Sequence, residues 1–261
     1  MVARPIPSDP GPAMARKSWR AMLQIDVAGL APARPNGANG IGGDETEAIL
    51  FALALAVEQR DQQTSGHCQR LALISVALGF HLGLRGPELE TLYRGGFLHD
   101  VGKVGIPDSI LLKPGKLDAD EWVVMRSHPA RGEEICRPMK SLEPVLPIIR
   151  HHHERWDGYG YPDGLRGEQI PLPARILQIA DIYDALISAR PYKRAYQPDE
   201  ALDVLKQEGD SGWRDPKLVR TFVSIHKDLI SAINRYIASV DQPRENMRTS
   251  LANLQRFLSI S

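Results

Sequence analysis

The 261-residue chain has only two cysteines, Cys68 and Cys136, and they share no paired spacing. This excludes a disulfide scaffold and a thiolate zinc site, and it predicts a reducing compartment. A surplus of one charge is also missing, since 32 Lys+Arg balance 32 Asp+Glu for a formal net charge of zero. A protein that grips a long nucleic acid needs a basic surplus, because each phosphate contact takes a Lys or Arg. No stretch approaches the ~20 apolar residues of a membrane span. The N-terminus lacks the apolar core of a signal peptide, so the expected setting is the cytoplasm. With 43% hydrophobic and 25% charged residues, the composition suits an ordinary globular core without staples.

Residues 1–43 differ in texture from the rest. Pro5, Pro7, Pro10, Pro12, Pro32 and Pro35, followed by Gly37, Gly40, Gly42 and Gly43, predict a largely irregular arm. From Asp44, a good N-cap residue, the pattern turns helical, with Ile49, Leu50, Leu53, Ala56 and Val57 on one face. A second helix is predicted from about Thr64 to Leu82, with Leu71, Ile74, Leu78 and Phe80 inward. Further helices are predicted near 87–100, 118–125, 127–139, 143–152, 172–188 and 199–208. No run of alternating β-branched residues is long enough to nucleate a sheet, so the fold class is all-α.

At the C-terminus, Leu218, Phe222, Ile225, Leu229, Ile233, Tyr236 and Val240 recur at three- and four-residue steps. Gln242 and Pro243 interrupt the run, and Met247, Leu251, Leu254 and Leu258 resume it. The preferred reading is a helical hairpin packed on its own core; the other is a homodimer seam through these helices. The chain thus divides into the arm (1–43), a main domain (44–222) and a C-terminal helical extension (223–261).

The chemistry lies with the histidines. His67, His99, His128 and the run His151-His152-His153-Glu154 accompany Asp100 and the pair Asp181 and Asp184, which lie one helical turn apart. Imidazole and carboxylate without thiolate suit a hydrolytic site for iron, manganese, zinc or similar ions. An Asp beside a His is informative because its two oxygens can bridge metals that histidines hold singly. Two metals roughly 3.5–4 Å apart can clamp a phosphodiester, with a hydroxide between them attacking phosphorus. Any one of these pieces has a structural reading, and only their joint occurrence, with Lys103 three residues beyond Asp100, points to a metal centre.

From about Ala54 to Phe222 the chain resembles the HD-GYP branch of the HD-domain phosphohydrolases. The resemblance rests on Leu98-His-Asp-Val-Gly-Lys-Val-Gly-Ile-Pro107, Leu112-Lys-Pro-Gly-Lys-Leu117 and His152-His-Glu-Arg-Trp-Asp-Gly-Tyr-Gly-Tyr-Pro162. It continues with Ala180-Asp-Ile-Tyr-Asp-Ala-Leu186 and Arg190-Pro-Tyr-Lys193. It implies an HD-domain helical bundle with a Gly-Tyr-Pro loop, and a metal-dependent phosphodiesterase activity on cyclic di-GMP. The implied product is linear pGpG, which some members cut further to GMP. By the same resemblance His67, His99, Asp100, His128, His152, His153 and Asp181 are the metal ligands, with Asp100 bridging two divalent ions, iron or manganese in preference. His151 becomes a bystander, and His81 and His226 ordinary helix histidines.

On the substrate side, Lys103 is set to reach a non-bridging phosphate oxygen and the charge that develops there; its alternative is a salt bridge to a neighbouring carboxylate. Arg190 and Lys193 follow the Asp181 helix and, by resemblance, reach the second phosphate or a guanine edge. Tyr161 corresponds to the family's loop tyrosine, beside the ligand or at a partner surface, and is otherwise a packed loop aromatic. Trp156 and Asp157 shape that loop. Asp184 is read in preference as the hydrogen-bond partner that orients a ligand histidine, with direct ligation as its alternative, and Thr64 and Arg70 as caps or internal pairs rather than catalysts. Gly42-Gly43-Asp44-Glu45-Thr46 nearly spells the signature of GGDEF-domain synthases, but a helix follows at once, so it is read as a lead into that helix.

Two other functions compete with cyclic di-GMP hydrolysis. One is a catalytically weak nucleotide sensor that binds partners such as GGDEF-domain proteins; the other is a hydrolase for another nucleotide, a hybrid cyclic GMP–AMP or a mononucleotide, the latter disfavoured by the Gly-Tyr-Pro loop. Every ligand position is filled, which favours an enzyme. Some family members carry a Glu four residues before the first ligand histidine, where it helps to hold a third metal; here that residue is Gln63. A neutral amide is a poor ligand for a hard cation, so a binuclear site that mainly stops at pGpG is predicted. Metal analysis of anaerobically prepared protein should find two ions per chain, and a well-occupied third ion ligated at Gln63 would overturn this.

Overall fold

The structure, a computed structural model, describes residues 43–60, 66–188 and 194–239. These residues form ten α-helices and no strand. They are α1 (Gly43–Arg60), α2 (His67–His81), α3 (Pro87–Leu98), α4 (Asp108–Leu111), α5 (Ala119–Met125), α6 (His128–Cys136), α7 (Leu146–His151), α8 (Leu172–Ile187), α9 (Pro198–Asp210) and α10 (Pro216–Ser239). Short 3-10 turns cover Val101–Gly105, Lys140–Val145 and Gly167–Gln169. The all-α expectation therefore holds for every described element. No described helix is long and apolar enough to cross a membrane.

Helix α2 is the axis of the bundle. Leu71, Ala72, Ile74, Val76 and Leu78 are all buried, on more than one face, as expected of a helix surrounded by others. It packs on α3, α8 and α10. The larger core joins Leu71, Leu78, Leu89, Leu92, Ile176, Tyr183, Leu205 and Phe222. A second, smaller core joins Leu50, Ala54, Phe97, Leu98, Val101, Cys136, Leu142 and Ile149. Fully burying a large apolar side chain contributes about 1.5–3 kcal/mol, so these two clusters fix how the helix ends meet.

Several boundaries differ from those predicted. Helix α1 begins at Gly43, which puts Asp44 inside the first turn rather than ahead of it, and Gly43 to Thr46 are helical, not part of a hairpin. The helix predicted near 127–139 stops at Cys136, and the one predicted from 143 starts at Leu146 after a 3-10 turn that holds Pro144. Proline has no N–H for an α-helical bond, which accounts for the break. Phe80, predicted inward, is half-buried with the Arg85 guanidinium 4.1 Å from its ring centroid. The 101–105 and 167–169 turns and α4 are too short to leave a periodic trace.

Leu218, Phe222, Leu229 and Ile233 of α10 are buried against α2, α8 and α9, so this half of the C-terminal repeat packs on the chain's own core. Helix α10 runs from the end of the main domain into the C-terminal extension without a break. The expected second half, Met247 to Leu258, and the arm up to Gly42 lie outside the described residues.

The closest backbone approach near the histidines involves Gly102. A Cβ there would sit 2.0 Å from the His128 carbonyl oxygen and 2.5 Å from the Gly132 nitrogen. Both obstacles are main chain and cannot rotate away, so the turn after Asp100 must separate from α6. Gly102→Ala should destabilise by at least about 2 kcal/mol, seen as a fall in Tm of roughly 4–8 °C in thermal denaturation.

Candidate metal centre

Seven side chains converge where the helix ends meet. Asp100, His128, His152 and His153 form one group, and His67, His99 and Asp181 another, each with its donor atoms within 4.8 Å of one another. Asp100 joins them. Its Oδ2 lies 3.3 Å from His99 Nε2, while Oδ1 lies 3.1 Å from His128 Nε2 and 3.7 Å from His152 Nε2. His67 Nε2 and Asp181 Oδ1 are 3.5 Å apart. These are the seven residues that the sequence resemblance singled out.

Three of the histidines are placed by one backbone device. His99 Nδ1 donates to the Gly96 carbonyl (3.0 Å), His128 Nδ1 to Met125 (2.9 Å) and His152 Nδ1 to Ile149 (2.8 Å). Each acceptor lies three residues back, in the last turn of α3, α5 or α7, where carbonyls have no partner within the helix. A carbonyl only accepts, so each Nδ1 carries the proton and each Nε2 is left with a lone pair. The helix end thereby sets both the tautomer and the direction of the ligand atom.

His67 is positioned differently, at the start of α2. Its Nδ1 donates to Asp184 Oδ2 at 2.7 Å, and Arg70 holds the same carboxylate through Nε (2.5 Å) and a second nitrogen (3.0 Å). The His67 backbone N–H donates to Glu58 Oε1 at 2.6 Å, which ties α1 to the start of α2. Sequence reading gave Glu58 no role. Its signal was a carboxylate at an inward position, four residues after the buried Ala54 and eight after Leu50.

The donor set fits divalent cations. With Nδ1 as the donor to a carbonyl in each ring, the neutral forms of His128 and His152 have no hydrogen on Nε2, yet these two atoms lie 3.2 Å apart. Asp100 Oδ1 is buried without a hydrogen-bond partner. Lone pairs facing each other and an unsatisfied carboxylate oxygen are stabilised by a shared cation. Burial pushes His152 down to about 4, with His99 and His128 lowering it and Asp100 opposing. Burial also holds His153 well below its usual range. Both are therefore neutral near pH 7, as ligands must be. Burial alone would raise the Asp100 carboxyl, but Lys103 and His99 hold it well below the usual range. For His67 burial is outweighed by Asp184 and Asp181, which raise its pKa; a cation on Nε2 satisfies the same carboxylates as a proton.

Lys103 lies beside this centre, its Nζ 2.7 Å from Asp100 Oδ2. The salt bridge considered as its alternative is thus formed, and with a ligand carboxylate. Arg60 braces the turn that carries it, donating to the carbonyls of Lys103 (3.3 Å) and Ile106 (2.7 Å) and to Asp108 Oδ1 (2.7 Å).

The loop after His153 is built around Glu154, which is fully buried and accepts the N–H groups of Asp163 (2.8 Å) and Leu165 (3.0 Å). Arg150 grips Asp163 with two bonds of 2.7 Å. Asp157 pairs with Arg155 and accepts the Tyr159 N–H at 3.1 Å, and Trp156 donates its N–H to the Trp213 carbonyl at 3.1 Å. At Gly160 a Cβ would meet Arg155 N at 2.2 Å and Glu154 Cα at 2.4 Å, so the loop doubles back on its own start. Tyr161 consequently stacks on His153, with ring centroids 4.8 Å apart at 25°. It is both packed and beside a candidate ligand. His151 belongs to neither group and lies 3.4 Å from Asp163 Oδ2. Arg190, Lys193 and Gln63 lie outside the described residues.

A family model described as an HD domain matches residues 52–218. The chain is 48% identical over 158 residues to the cyclic di-GMP phosphodiesterase response regulator RpfG of Xanthomonas campestris pv. campestris, covering 60% of this chain and 42% of that protein. It is 41% identical over 192 residues to the 3'3'-cGAMP-specific phosphodiesterase 2 of Vibrio cholerae, covering 73% and 36%. The chain thus spans less than half the length of these relatives. Among solved structures, the cyclic GMP-AMP specific phosphodiesterase V-cGAP3 of V. cholerae matches with a TM-score of 0.58 at 20% identity, over 82% of this chain and 59% of that one. An HD-GYP-type protein of Bdellovibrio bacteriovorus, Bd1817, matches with a TM-score of 0.52 at 19% identity, over 82% and 81%. At these identities the structural likeness concerns the fold.

The Asp184 network supplies a direct test of the centre. Asp184→Ala frees the His67 ring and takes from Arg70 its buried carboxylate partner. Metal affinity should fall 10–100-fold, read by competition with a chelator, and stability by about 3 kcal/mol, read by denaturant titration.

Proposed function

Because the chain belongs to the HD-domain family, in its HD-GYP branch, we propose that it is a metal-dependent phosphodiesterase that hydrolyses cyclic di-GMP to linear pGpG. The observation that carries this reading is the complete donor set converging on Asp100. A sensor that has lost catalysis has no need to keep all of these positions. The catalytic unit is residues 44–222, and the two free, buried cysteines suit a reducing cytoplasm.

In this proposal His67, His99 and Asp181 would hold one divalent ion and His128, His152 and His153 another, with Asp100 available to both groups. Iron and manganese suit such ligands. When bound, such ions supply Lewis acidity toward a phosphoryl oxygen and lower the pKa of water. The chain's own groups do the rest. Lys103, now on Asp100, has its ammonium within the same few ångströms and offers N–H donors to a non-bridging phosphate oxygen. Asp184 and the three helix-end carbonyls keep the imidazoles in one tautomer, so no reorganisation is needed during the reaction. Arg190 and Lys193 are assigned to the second phosphate or a guanine edge. Water adds to phosphorus, the bond from phosphorus to the 3' oxygen breaks, and that oxygen takes the proton. The products are a 5' phosphomonoester and a 3' hydroxyl.

The Gly-Tyr-Pro loop, which carries Tyr161 and exposes Tyr159 at 84%, is assigned to a GGDEF-domain partner. A homodimer through the C-terminal extension, residues 223–261, is the remaining part of this proposal; residues 240–261 lie outside the described residues.

The test is turnover of cyclic di-GMP by anaerobically prepared protein loaded with iron or manganese. Asp100→Ala should lose at least about a hundredfold in kcat/KM together with bound metal. Tight nucleotide binding without turnover under any divalent metal would favour the sensor reading, and activity surviving in Asp100→Ala would overturn the site.

A further inference from the structure

Most arginines around the centre are committed to carboxylates. Arg70 is held by Asp184, Arg150 by Asp163 and Glu133, Arg155 by Asp157, and Arg60 by Asp108. Arg126 differs. Among the described residues no carboxylate pairs with it, and its guanidinium instead lies 5.6 Å from the Trp122 ring centroid and 5.4 Å from that of Tyr161. Tyr161 in turn stacks on His153. A continuous column, His153–Tyr161–Arg126–Trp122, thus runs from the ligand cluster to the surface, where Trp122 is 45% exposed.

This placement is rigid. Trp122 in α5 and Arg126, the residue that caps its C-terminal end, lie one turn apart, with the Arg126 N–H bonded to the Trp122 carbonyl at 2.9 Å. Helix α5 starts with a reciprocal Asp118–Glu121 capping box, and Lys113 pins Glu121 with bonds of 2.7 and 2.6 Å. Two residues beyond Arg126 comes His128, whose Nδ1 bonds the Met125 carbonyl. The turn that aims the ligand imidazole therefore also sets the guanidinium.

An uncommitted guanidinium between two aromatic faces suits a flat, polar-edged ring. Bases stack on aromatic side chains and on Arg planes. A guanidinium offers two parallel N–H groups that match O6 and N7 of guanine, whereas adenine presents a donor where guanine has O6. Building on the phosphodiesterase reading above, we propose that Arg126, flanked by Trp122 and Tyr161, is a guanine-reading subsite that selects cyclic di-GMP over adenine-containing cyclic dinucleotides. Lysine is no substitute, since its ammonium is a point charge without the planar fork. Glutamine, which pairs with N6 and N7 of adenine, reverses the preference.

The test compares full-length, metal-loaded wild type with Arg126→Gln, Arg126→Lys and Trp122→Ala. The readouts are KM and kcat for cyclic di-GMP, the inhibition constant of cyclic di-AMP, and metal content. Arg126→Gln should raise KM for cyclic di-GMP about tenfold or more, lower kcat less than threefold, and tighten cyclic di-AMP, with metal content unchanged. Arg126→Lys should also lose the guanine preference, and Trp122→Ala should weaken both dinucleotides alike. Equal losses on both dinucleotides in Arg126→Gln would mean that the residue contacts phosphate, and unchanged selectivity would mean that it contacts nothing; either result overturns the proposal. If wild type shows no turnover, the phosphodiesterase reading fails by itself. Direct binding of the two dinucleotides, followed by quenching of tryptophan emission in wild type and Arg126→Gln, then decides the subsite separately.

Discussion

The Asp100 carboxylate is the point on which the rest of the centre depends. One oxygen faces His99 and the Lys103 ammonium, and the other faces His128 and His152 without a hydrogen-bond partner. A buried carboxylate oxygen left in this way is costly unless positive charge compensates it. His99, His128 and His152 turn their Nδ1 protons away from it to helix-end carbonyls, so it is their Nε2 atoms that face the carboxylate. The cluster is thus arranged to gain stability from bound cations, and metal loading and folding are linked.

The helix termini make this arrangement possible. A helix leaves its last carbonyls unsatisfied, and His99, His128 and His152 each take one of them with Nδ1. A single hydrogen bond therefore satisfies the backbone, fixes the tautomer and projects Nε2 into the centre. Because α3, α5 and α7 end near one another, three such histidines become neighbours. The remaining contributions, His67 at the start of α2 and Asp181 within α8, are brought in by the packing of α2 against α8.

Charge is handled locally, which is why a chain with no net charge can present a cationic site. Arg70, Arg150 and Arg155 are neutralised by acidic partners and serve as braces. Lys103 and Arg126 face the centre or its rim. A small dianionic ligand with flat bases matches a few cations set among aromatic rings, where a long polymer needs a basic surface.

Much of this was legible in the primary structure. The helical periodicity located the long helices, because an apolar stripe must be buried whatever its partner. The clustered histidines and aspartates pointed to a metal centre, because ligand chemistry restricts residue types, and the family resemblance picked the seven donors among them. Other features were not legible. Glu58, Arg60 and Glu154 look like ordinary charged residues until folding buries them against His67, the 101–108 turn and the Gly-Tyr-Pro loop. Likewise Arg126 and Tyr161, 35 positions apart in the numbering, give no sign that they share a face. The sequence by itself determined the fold class and the donor types, which are local properties of periodicity and side-chain chemistry. Only the tertiary structure decided which carboxylate meets which imidazole and which arginine stays uncommitted, because those pairings join distant segments and arise only when the helices pack.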